Sequence, residues 1–244
     1  MGKEIKAIFF DSGRVLNGPK SGNWLISPKF FEYVNKDLFD SIAQDKKDEA
    51  FSKAYEYISS IKEIKTMDEE YRHFIKYYEI FAEELPKLDL SKDDIEGLAK
   101  DLVYNPEKYE FYQDAIKEIP ELSSKYRLAV VSDAWPSLKS VFEKAGMDKF
   151  FDAFEISSEL GVTKPDEKMY LKALNDLNVL PKNTIFVDDN IDNCKGAMEL
   201  GIYSVLLCRD KLSYVANKVK SINKKYSVIN SLTELDKLPR FNEK

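Results

Sequence analysis

Four short apolar runs along the chain predict buried β-strands. They consist mainly of aliphatic and aromatic residues without alternating polar positions, and polar or turn residues bound each of them. Continuous runs of this kind are typical of strands that are buried on both faces of a parallel sheet. A weaker strand candidate covers residues 149–156. The four runs occupy residues 7–10, 128–131, 184–187 and 204–207.

Stretches with helical periodicity separate the last three of these runs. Residues 138–145 and 191–200 are each followed by a glycine, which is favoured directly after the end of a helix. Residues 166–177 carry apolar side chains at helical spacing. Strands that alternate with helices in this way predict an α/β fold with a Rossmann-like, doubly wound parallel sheet.

The long segment between the first two runs has a different pattern. Residues 17–108 contain no convincing strand but several helical stretches, so we predict an α-helical insert there and an α/β core made of residues 1–16 and 109–244. The predicted helices cover residues 30–39, 45–61, 68–85 and 92–104. Aromatic residues at helical spacing are expected to pack between them. These aromatic residues include Phe51, Tyr55, Phe74, Tyr77, Tyr78 and Phe81.

Composition argues against several classes of protein. The 244 residues include 37 Lys and Arg against 43 Asp and Glu, and the resulting net charge of −6 argues against a general nucleic-acid binder. No apolar run approaches the ~18 residues of a membrane-spanning helix, so no membrane partner is expected. Cys194 and Cys208 are too few for a disulfide framework and fit a reducing, cytoplasmic compartment. The sequence does not determine the oligomeric state.

A single histidine restricts the chemistry further. His73 lies in a predicted amphipathic helix, where a partly buried surface position is expected. A metal site with several histidines is impossible within one chain, and any Ser-His-Asp or Cys-His triad would have to use His73. Hydrolytic chemistry must then use carboxylates, hydroxyls, lysine and a hard metal ion.

Carboxylates follow two of the predicted strands. Asp11 comes directly after the first strand, and Asp188 and Asp189 come after the third. The carboxyl ends of parallel strands meet at one edge of the sheet, which is where ligands bind in such folds. Three carboxylates at one edge repel each other unless a cation lies among them, and oxygen ligands of this kind suit Mg²⁺.

Three further polar residues are expected at the same edge. Ser132 and Asp133 follow the second strand, and Lys164 lies in a loop before the third. Ser132 offers a hydrogen-bond donor and Lys164 a positive charge, so both suit an anionic group beside Asp11. A carboxylate next to a metal-bound phosphoryl group can attack it and form an aspartyl phosphate.

Four motifs along the chain resemble those of the haloacid dehalogenase (HAD) superfamily. Residues 8–16 are similar to its first motif, and residues 131–133 to its second, a Ser or Thr that binds phosphate. Residues 161–165 are similar to the third motif with its lysine, and residues 186–190 to the acidic fourth motif. The order, the spacing and the flanking apolar strands agree over nearly the whole chain. The resemblance implies a HAD-like core, with residues 17–108 as an α-helical cap domain.

The resemblance also implies roles at the metal. Asp11 would be the nucleophile and a metal ligand, and Gly13 would bind Mg²⁺ through its backbone carbonyl. Asp189 aligns with the usual direct ligand because of its distance to Gly201, and Asp188 would support the metal or its waters.

The second and third motifs would supply the catalytic groups that hold the substrate. By the same resemblance, the phosphate group of the substrate would be bound by Ser132, Asp133 and Lys164.

Gly13 departs from the pattern of most phosphatases in this family. They carry a second Asp at this position, which protonates the leaving oxygen and then activates the hydrolytic water. General acid–base help is commonly worth about 10²–10⁴-fold, so glycine here predicts a slow enzyme and argues against a phosphomutase. Some phosphatase relatives carry glycine at this position, so the change does not by itself exclude activity.

The sequence therefore favours a Mg²⁺-dependent phosphatase that acts on a small phosphorylated metabolite. Two alternatives remain open. A catalytically weak or silent binding protein with the same fold is consistent with Gly13 but not with the otherwise complete motif set. A metal-free 2-haloacid dehalogenase is disfavoured because such relatives carry Ser-Ser-Asn where this chain has Asp188-Asp189-Asn190.

Overall fold

The computed structural model describes residues 4–221 and 225–242 and divides into two compact units. The first unit comprises the chain up to Gly18, Phe111–Ala134 and the chain from Ala145 onward. The second comprises Pro19–Glu110 and Trp135–Lys144. Within the described ranges, no helix is both long and apolar enough to cross a membrane.

Eight strands are present in the described residues. They are β1 (Ala7–Phe10), β2 (Asn17–Pro19), β3 (Tyr109–Phe111), β4 (Arg127–Ser132), β5 (Ala153–Ile156), β6 (Thr184–Asp188), β7 (Tyr203–Leu207) and β8 (Tyr226–Ile229). Six of them form a parallel sheet in the order β5-β4-β1-β6-β7-β8, whereas β2 pairs with β3 in a two-stranded sheet.

Most helices of the first unit alternate with its strands, whereas five helices of the second unit follow one another without a strand between them. They are α1 (Phe30–Tyr33), α2 (Lys36–Asp40), α3 (Gln44–Ser60), α4 (Met67–Glu84), α5 (Lys92–Tyr104), α6 (Gln113–Ser123), α7 (Leu138–Ala145), α8 (Ser157–Leu160), α9 (Glu167–Asp176), α10 (Ile191–Glu199), α11 (Lys211–Lys220) and α12 (Pro239–Asn242). Short 3-10 helices follow α4, α7 and α9 and precede α12.

The strand order of the six-stranded sheet is that of a doubly wound fold. The chain runs outward from β1 through β4 to β5, then returns to the other side of β1 and continues through β6 and β7 to β8. The predicted Rossmann-like α/β class is therefore confirmed. In such sheets the order reverses at the two central strands, here β1 and β6, and the crevice outside their carboxyl ends is the usual ligand site.

Complete burial explains why the strands were detectable in the sequence. All four residues of β1 and all five of β6 are inaccessible or nearly so. One layer of side chains, including Phe9 and Phe186, packs against Met169 and Tyr170 of α9. Strands covered on both faces have no solvent-facing position, so polar alternation is absent from their sequence.

The second unit has its own aromatic core. Phe74, Tyr77, Tyr78 and Phe81 of α4 are completely or almost completely buried, as the helical spacing predicted. Tyr55 of α3, expected in the same stripe, is instead 50% exposed. The helix α3 buries only its small or aliphatic positions Ala50, Ala54 and Ile58, which leaves the neighbouring Tyr55 on the solvent side.

Two details of the 17–108 segment differ from the sequence prediction. The segment begins with a strand, because β2 covers Asn17–Pro19 and pairs with β3. The single helix predicted over 30–39 is two short helices, because Val34 adopts an extended conformation that ends α1. The Asn35 side chain then accepts a hydrogen bond from the Leu38 backbone N–H and so caps the start of α2. Neither signal changes the apolar pattern, so periodicity alone does not reveal them.

Candidate active site

Asp11 lies at the centre of the carboxyl edge of the sheet. It follows β1 directly, and its backbone N–H donates to the Val187 carbonyl of β6 at 2.9 Å. The carboxylate is buried, and its Oδ1 accepts two hydrogen bonds, from Ser132 Oγ at 3.1 Å and from Lys164 Nζ at 2.6 Å. Among the described residues, nothing donates a hydrogen bond to Oδ2. One oxygen of this carboxylate is thus fixed by the protein and the other remains available.

Lys164 connects the third motif to two carboxylates. Its side chain is 1% exposed, and besides Asp11 it donates to Asp188 Oδ2 at 2.8 Å. Burial acts to lower the pKa of this ammonium, but the negative charges of Asp11, Asp188 and Asp133 outweigh it and raise the pKa above that of an exposed lysine. Lys164 is therefore a permanent positive charge in the site.

Asp133 contacts the backbone of the same loop. Its Oδ1 accepts a hydrogen bond from the Lys164 backbone N–H at 2.9 Å. The second motif thereby holds the third motif in place, and Ser132, one residue earlier, directs its hydroxyl toward Asp11. This contact gives Asp133 a positioning role within the first unit, and its predicted contact with substrate stays a prediction.

The two adjacent carboxylates of the fourth motif have different surroundings. The side chain of Asp188 is inaccessible, and it accepts hydrogen bonds from Lys164, from the Asn190 backbone N–H at 2.7 Å and from the Asn193 side chain at 3.1 Å. The Asp189 side chain is 27% exposed, and its Oδ2 forms an ion pair with Arg14 Nη1 at 3.6 Å. Asp188 is thus engaged by the protein, whereas Asp189 retains free ligand capacity.

Electrostatics of this cluster favour a bound cation. One ligand atom from each of Asp11, Asp188 and Asp189 lies within 4.8 Å of the others. Burial raises the pKa of the Asp11 carboxyl above its usual value, the charges of Asp188 and Asp189 raise it further, and Lys164 opposes them. Burial and the charge of Asp188 likewise raise the pKa of Asp189. One lysine therefore does not neutralise the cluster, and a divalent cation would keep these carboxyls ionised.

The loop after Asp11 presents one free backbone carbonyl. The Ser12 carbonyl accepts the backbone N–H groups of Leu16 and Asn17, at 2.8 and 3.1 Å. The carbonyls of Arg14 and Val15 accept from Arg209, and the Leu16 carbonyl accepts from Tyr112 N–H. Within residues 4–221 and 225–242, nothing donates to the Gly13 carbonyl, which lies in the middle of this series. An unpaired carbonyl two residues after Asp11 fits the oxygen-only ligand set of Mg²⁺.

The first unit brings together the side chains of all the site residues predicted from the sequence. Asp11, Ser132, Lys164 and Asp188 form one hydrogen-bonded group, Asp133 joins it through the Lys164 backbone, and Asp189 joins it through proximity. The Gly13 residue has no side chain to add a titratable group.

Two contributors to the site were missed by the sequence analysis. Asn193 supports Asp188, and Arg209 binds the loop carbonyls. Asn190 and Asn193 lie at the start of α10, directly after the end of β6, and both donate to Asp188. The spacing of two asparagines three residues apart after the fourth motif could have predicted these contacts. By contrast, His73 lies in α4 of the second unit, where its Nδ1 is 2.9 Å from the Tyr57 hydroxyl.

Comparison with known proteins identifies the family. The model of the haloacid dehalogenase-like hydrolases matches residues 28–207, which is most of the chain, and the protein therefore belongs to this family. A glyceraldehyde 3-phosphate phosphatase of Pyrococcus furiosus is 26% identical over 209 residues, which cover 83% of this chain and 80% of that protein. A phosphatase of the same name from Methanopyrus kandleri is 28% identical over 120 residues, 45% of this chain and only 50% of its own length.

Solved structures agree on the fold. The crystal structure of a HAD phosphatase from Thermococcus onnurineus matches with a TM-score of 0.64 at 22% identity and covers 96% of this chain and 97% of that one. The L-2-haloacid dehalogenase of Xanthobacter autotrophicus matches with the same TM-score of 0.64 at 20% identity and covers 97% of this chain and 98% of that one. The fold alone therefore does not separate the two activities.

Proposed function

We propose that this protein is a Mg²⁺-dependent phosphatase that acts on a small phosphorylated metabolite through an aspartyl phosphate on Asp11. The observation that carries the proposal is the asymmetry of the Asp11 carboxylate. Ser132 and Lys164 hold Oδ1, while no described residue donates to Oδ2. A nucleophilic carboxylate needs one oxygen oriented by the protein and the other free to attack phosphorus.

The chain's own residues supply the nucleophile and the charge stabilisation for both steps of the reaction. Asp11 Oδ2 forms a bond to phosphorus while the bond to the leaving oxygen breaks, and that oxygen departs with the bonding electrons and takes up a proton from water. Water then attacks the phosphorus, so the Asp11 carboxylate is released together with inorganic phosphate. Lys164 and Ser132 stabilise the negative charge near Asp11 throughout, which preorganised donors achieve without reorganisation.

The ligand set fits a hard divalent cation. Asp11, the Gly13 carbonyl and Asp189 would hold Mg²⁺ directly, and Asp188, already engaged by Lys164 and Asn193, would orient the ion's waters. When bound, the ion would neutralise part of the charge that nucleophile and phosphate bring together. Asp189 is the better direct ligand because its carboxylate has more free capacity than that of Asp188.

The names of two relatives support a substrate class. The phosphatases of Pyrococcus furiosus and Methanopyrus kandleri bear the name of a three-carbon sugar phosphate, so we propose a small phosphorylated carbohydrate as substrate. The second unit, which contains the helices α1–α5, is proposed to be the cap domain that selects it. A cytoplasmic location suits such a metabolite and agrees with the two free, buried cysteines.

Gly13 limits the rate rather than the type of reaction. No carboxyl group at this position can protonate the leaving oxygen, so substrates with acidic leaving groups should react best. The carboxylate pair Asp188-Asp189 opposes the dehalogenase alternative, because a reaction without a metal has no use for this concentration of negative charge. The complete hydrogen-bonded group around Asp11 opposes a silent scaffold protein.

A screen of phosphorylated metabolites with Mg²⁺ and with EDTA tests the proposal. Phosphate release should require Mg²⁺ and should be lost in Asp11→Asn, which keeps the shape of the side chain but not the nucleophile. Asp192→Asn is the matched control, because Asp192 is an Asp of the same edge whose carboxylate pairs with the neighbouring Lys195. Release of halide from 2-haloacids in EDTA would instead favour a dehalogenase. Absence of both activities would favour the binding protein.

A further inference from the structure

Arg209 binds the loop that carries Gly13. It lies two residues after β7, and its guanidinium donates from Nε to the Arg14 carbonyl at 2.9 Å and from Nη2 to the Val15 carbonyl at 2.7 Å. These are the two carbonyls that directly follow the free Gly13 carbonyl. A planar guanidinium with donors in a fixed arrangement defines both the position and the orientation of the groups it binds.

Arg209 is itself held rigidly. Asp114 of α6 binds it in a bidentate manner, with Nη2 to Oδ1 at 2.9 Å and Nη1 to Oδ2 at 3.1 Å. The guanidinium also lies 3.8 Å from the centre of the Tyr112 ring. Asp114 Oδ2 additionally accepts from the Ser231 hydroxyl and the Leu232 N–H, at 3.0 and 2.9 Å. Both partners of the ion pair are therefore fixed from two sides, and Arg209 loses little further rotamer freedom when it binds the loop.

The loop has a conformation that needs such support. Arg14 has φ = +59°, in the left-handed region that costs a residue with a Cβ about 1–2 kcal/mol. Relaxation of Arg14 to a negative φ would rotate the adjoining peptide groups, and the Gly13 carbonyl belongs to one of them. The N–H of the same peptide group, that of Arg14, donates to the Asn17 carbonyl at 2.7 Å, and Arg209 holds the next two carbonyls. The orientation of the Gly13 carbonyl thus depends on both sets of contacts.

We infer that Arg209 is a positioning residue whose contacts with the Arg14 and Val15 carbonyls aim the unpaired Gly13 carbonyl at the carboxylate cluster. The inference rests on the proposed function, in which that carbonyl is a metal ligand. Arg209 does not touch substrate or metal and acts only through the backbone. Its loss should therefore weaken Mg²⁺ binding, while activity at saturating Mg²⁺ should largely recover.

Two variants and one control separate positioning from general stability. Arg209→Met removes the donors and keeps most of the side-chain length, and Arg209→Lys keeps the charge without the paired donors. Arg127→Met is the control, because Arg127 likewise binds a carboxylate, Asp152, and a backbone carbonyl, that of Leu177, at the opposite edge of the sheet. If Arg209→Met does not fold, the double variant Arg209→Met/Asp114→Asn removes the unpaired carboxylate.

The first measurement is amide exchange in metal-free protein. Leu16 and Asn17 donate their N–H groups to the Ser12 carbonyl, so loosening of the loop should accelerate their exchange. We expect at least about tenfold faster exchange in Arg209→Met, a smaller effect in Arg209→Lys and none in Arg127→Met. Unchanged exchange in both Arg209 variants would overturn the inference without reference to metal or activity.

The second measurement is the Mg²⁺ dissociation constant by calorimetry, together with kcat and KM for p-nitrophenyl phosphate. We expect the dissociation constant to rise about 10–100-fold in Arg209→Met, with partial rescue in Arg209→Lys and no change in Arg127→Met. Equal Mg²⁺ affinity of the Arg209 variants and wild type would overturn the inference and leave the proposed function intact. Failure of wild type to bind Mg²⁺ would overturn the metal dependence of the proposed function and this inference with it.

Discussion

Replacing each acidic residue of the fourth motif with asparagine should separate stability from metal binding. Asp188→Asn and Asp189→Asn are the same chemical change at adjacent positions. Asp188 is inaccessible and is bonded to Lys164 and Asn193, whereas Asp189 is 27% exposed and faces Arg14, whose side chain is 68% exposed. We expect Asp188→Asn to destabilise the fold and Asp189→Asn to weaken Mg²⁺ binding.

The contacts set the size of each effect. Removal of one partner from a buried ion pair commonly costs ~3–5 kcal/mol. We expect the lower end for Asp188→Asn, because Asp11 still pairs with Lys164 and because the loss of Asp188 also relieves its repulsion of Asp11 and Asp189. At about 2–4 °C per kcal/mol for a chain of this size, the melting temperature should fall by about 6–12 °C. The exposed pair of Asp189 and Arg14 is worth only ~0–1 kcal/mol.

Metal affinity should show the opposite order. Groups that only support a metal ligand typically change affinity by ~10–100-fold, and we expect Asp188→Asn to fall in this range. Loss of Asp189, a direct ligand in the proposed site, should exceed it. The Asp189→Asn variant should therefore be nearly as stable as wild type in EDTA and should gain little stability from added Mg²⁺.

Urea unfolding in EDTA, followed by far-UV circular dichroism, measures the stability of both variants. Tryptophan fluorescence is unsuitable for this purpose, because Trp24 and Trp135 both belong to the second unit. Calorimetric titration with Mg²⁺ supplies the affinities. The reasoning is refuted if Asp189→Asn costs as much stability as Asp188→Asn in EDTA, or if it binds Mg²⁺ more tightly than Asp188→Asn.

Three further outcomes are expected. Gly13 has no positive φ, so Gly13→Asp introduces no left-handed strain. The new carboxyl group should raise kcat/KM for alkyl phosphates more than for aryl phosphates, within ~10²–10⁴-fold. Equal kcat/KM for both substrates, in wild type and variant alike, would show that another group supplies the proton. Glu70 accepts hydrogen bonds from the backbone N–H and hydroxyl of Ser137 and lies 4.0 Å from the buried Lys108. Glu70→Gln should therefore lower the free energy of unfolding in urea by ~3 kcal/mol, and a decrease under ~1 kcal/mol would contradict this. Burial, opposed by Glu70, lowers the pKa of Lys108 from 10.5 to about 8, so unfolding takes up a proton between these two pH values. The free energy of unfolding of wild type should therefore rise with pH across this range relative to that of Lys108→Met. A difference between the two proteins that stays constant with pH would refute the assignment.

The sequence sufficed where chemistry follows directly from position in the fold. Asp11, Ser132 and Asp188 stand at the ends of continuous apolar runs, and the carboxyl ends of parallel strands necessarily share one edge. Their convergence was therefore predictable without coordinates. The same apolar runs, alternating with helical stretches, predicted the α/β class.

Other parts of the site depend on contacts that no local pattern records. Arg209 and Asp114 are separated by 95 residues, and their pairing joins the start of α6 to the segment that follows β7. The different surroundings of Asp188 and Asp189 depend on which carboxylate the strand directs inward. Similarly, Trp135 packs against Phe74 within the second unit, although the sequence gives no sign that residues after the second motif belong there.

Trapping of the phosphorylated enzyme tests the central claim most directly. Wild-type protein turning over p-nitrophenyl phosphate with Mg²⁺ would be quenched in acid, digested and analysed by mass spectrometry, with Asp11→Asn treated in parallel. The proposed mechanism predicts one phosphoryl group on the peptide that contains Asp11, absent from the variant and from samples incubated with EDTA in place of Mg²⁺ before the acid quench. Steady phosphate release with Asp11 unmodified, or a phosphoryl group on another residue, would contradict it.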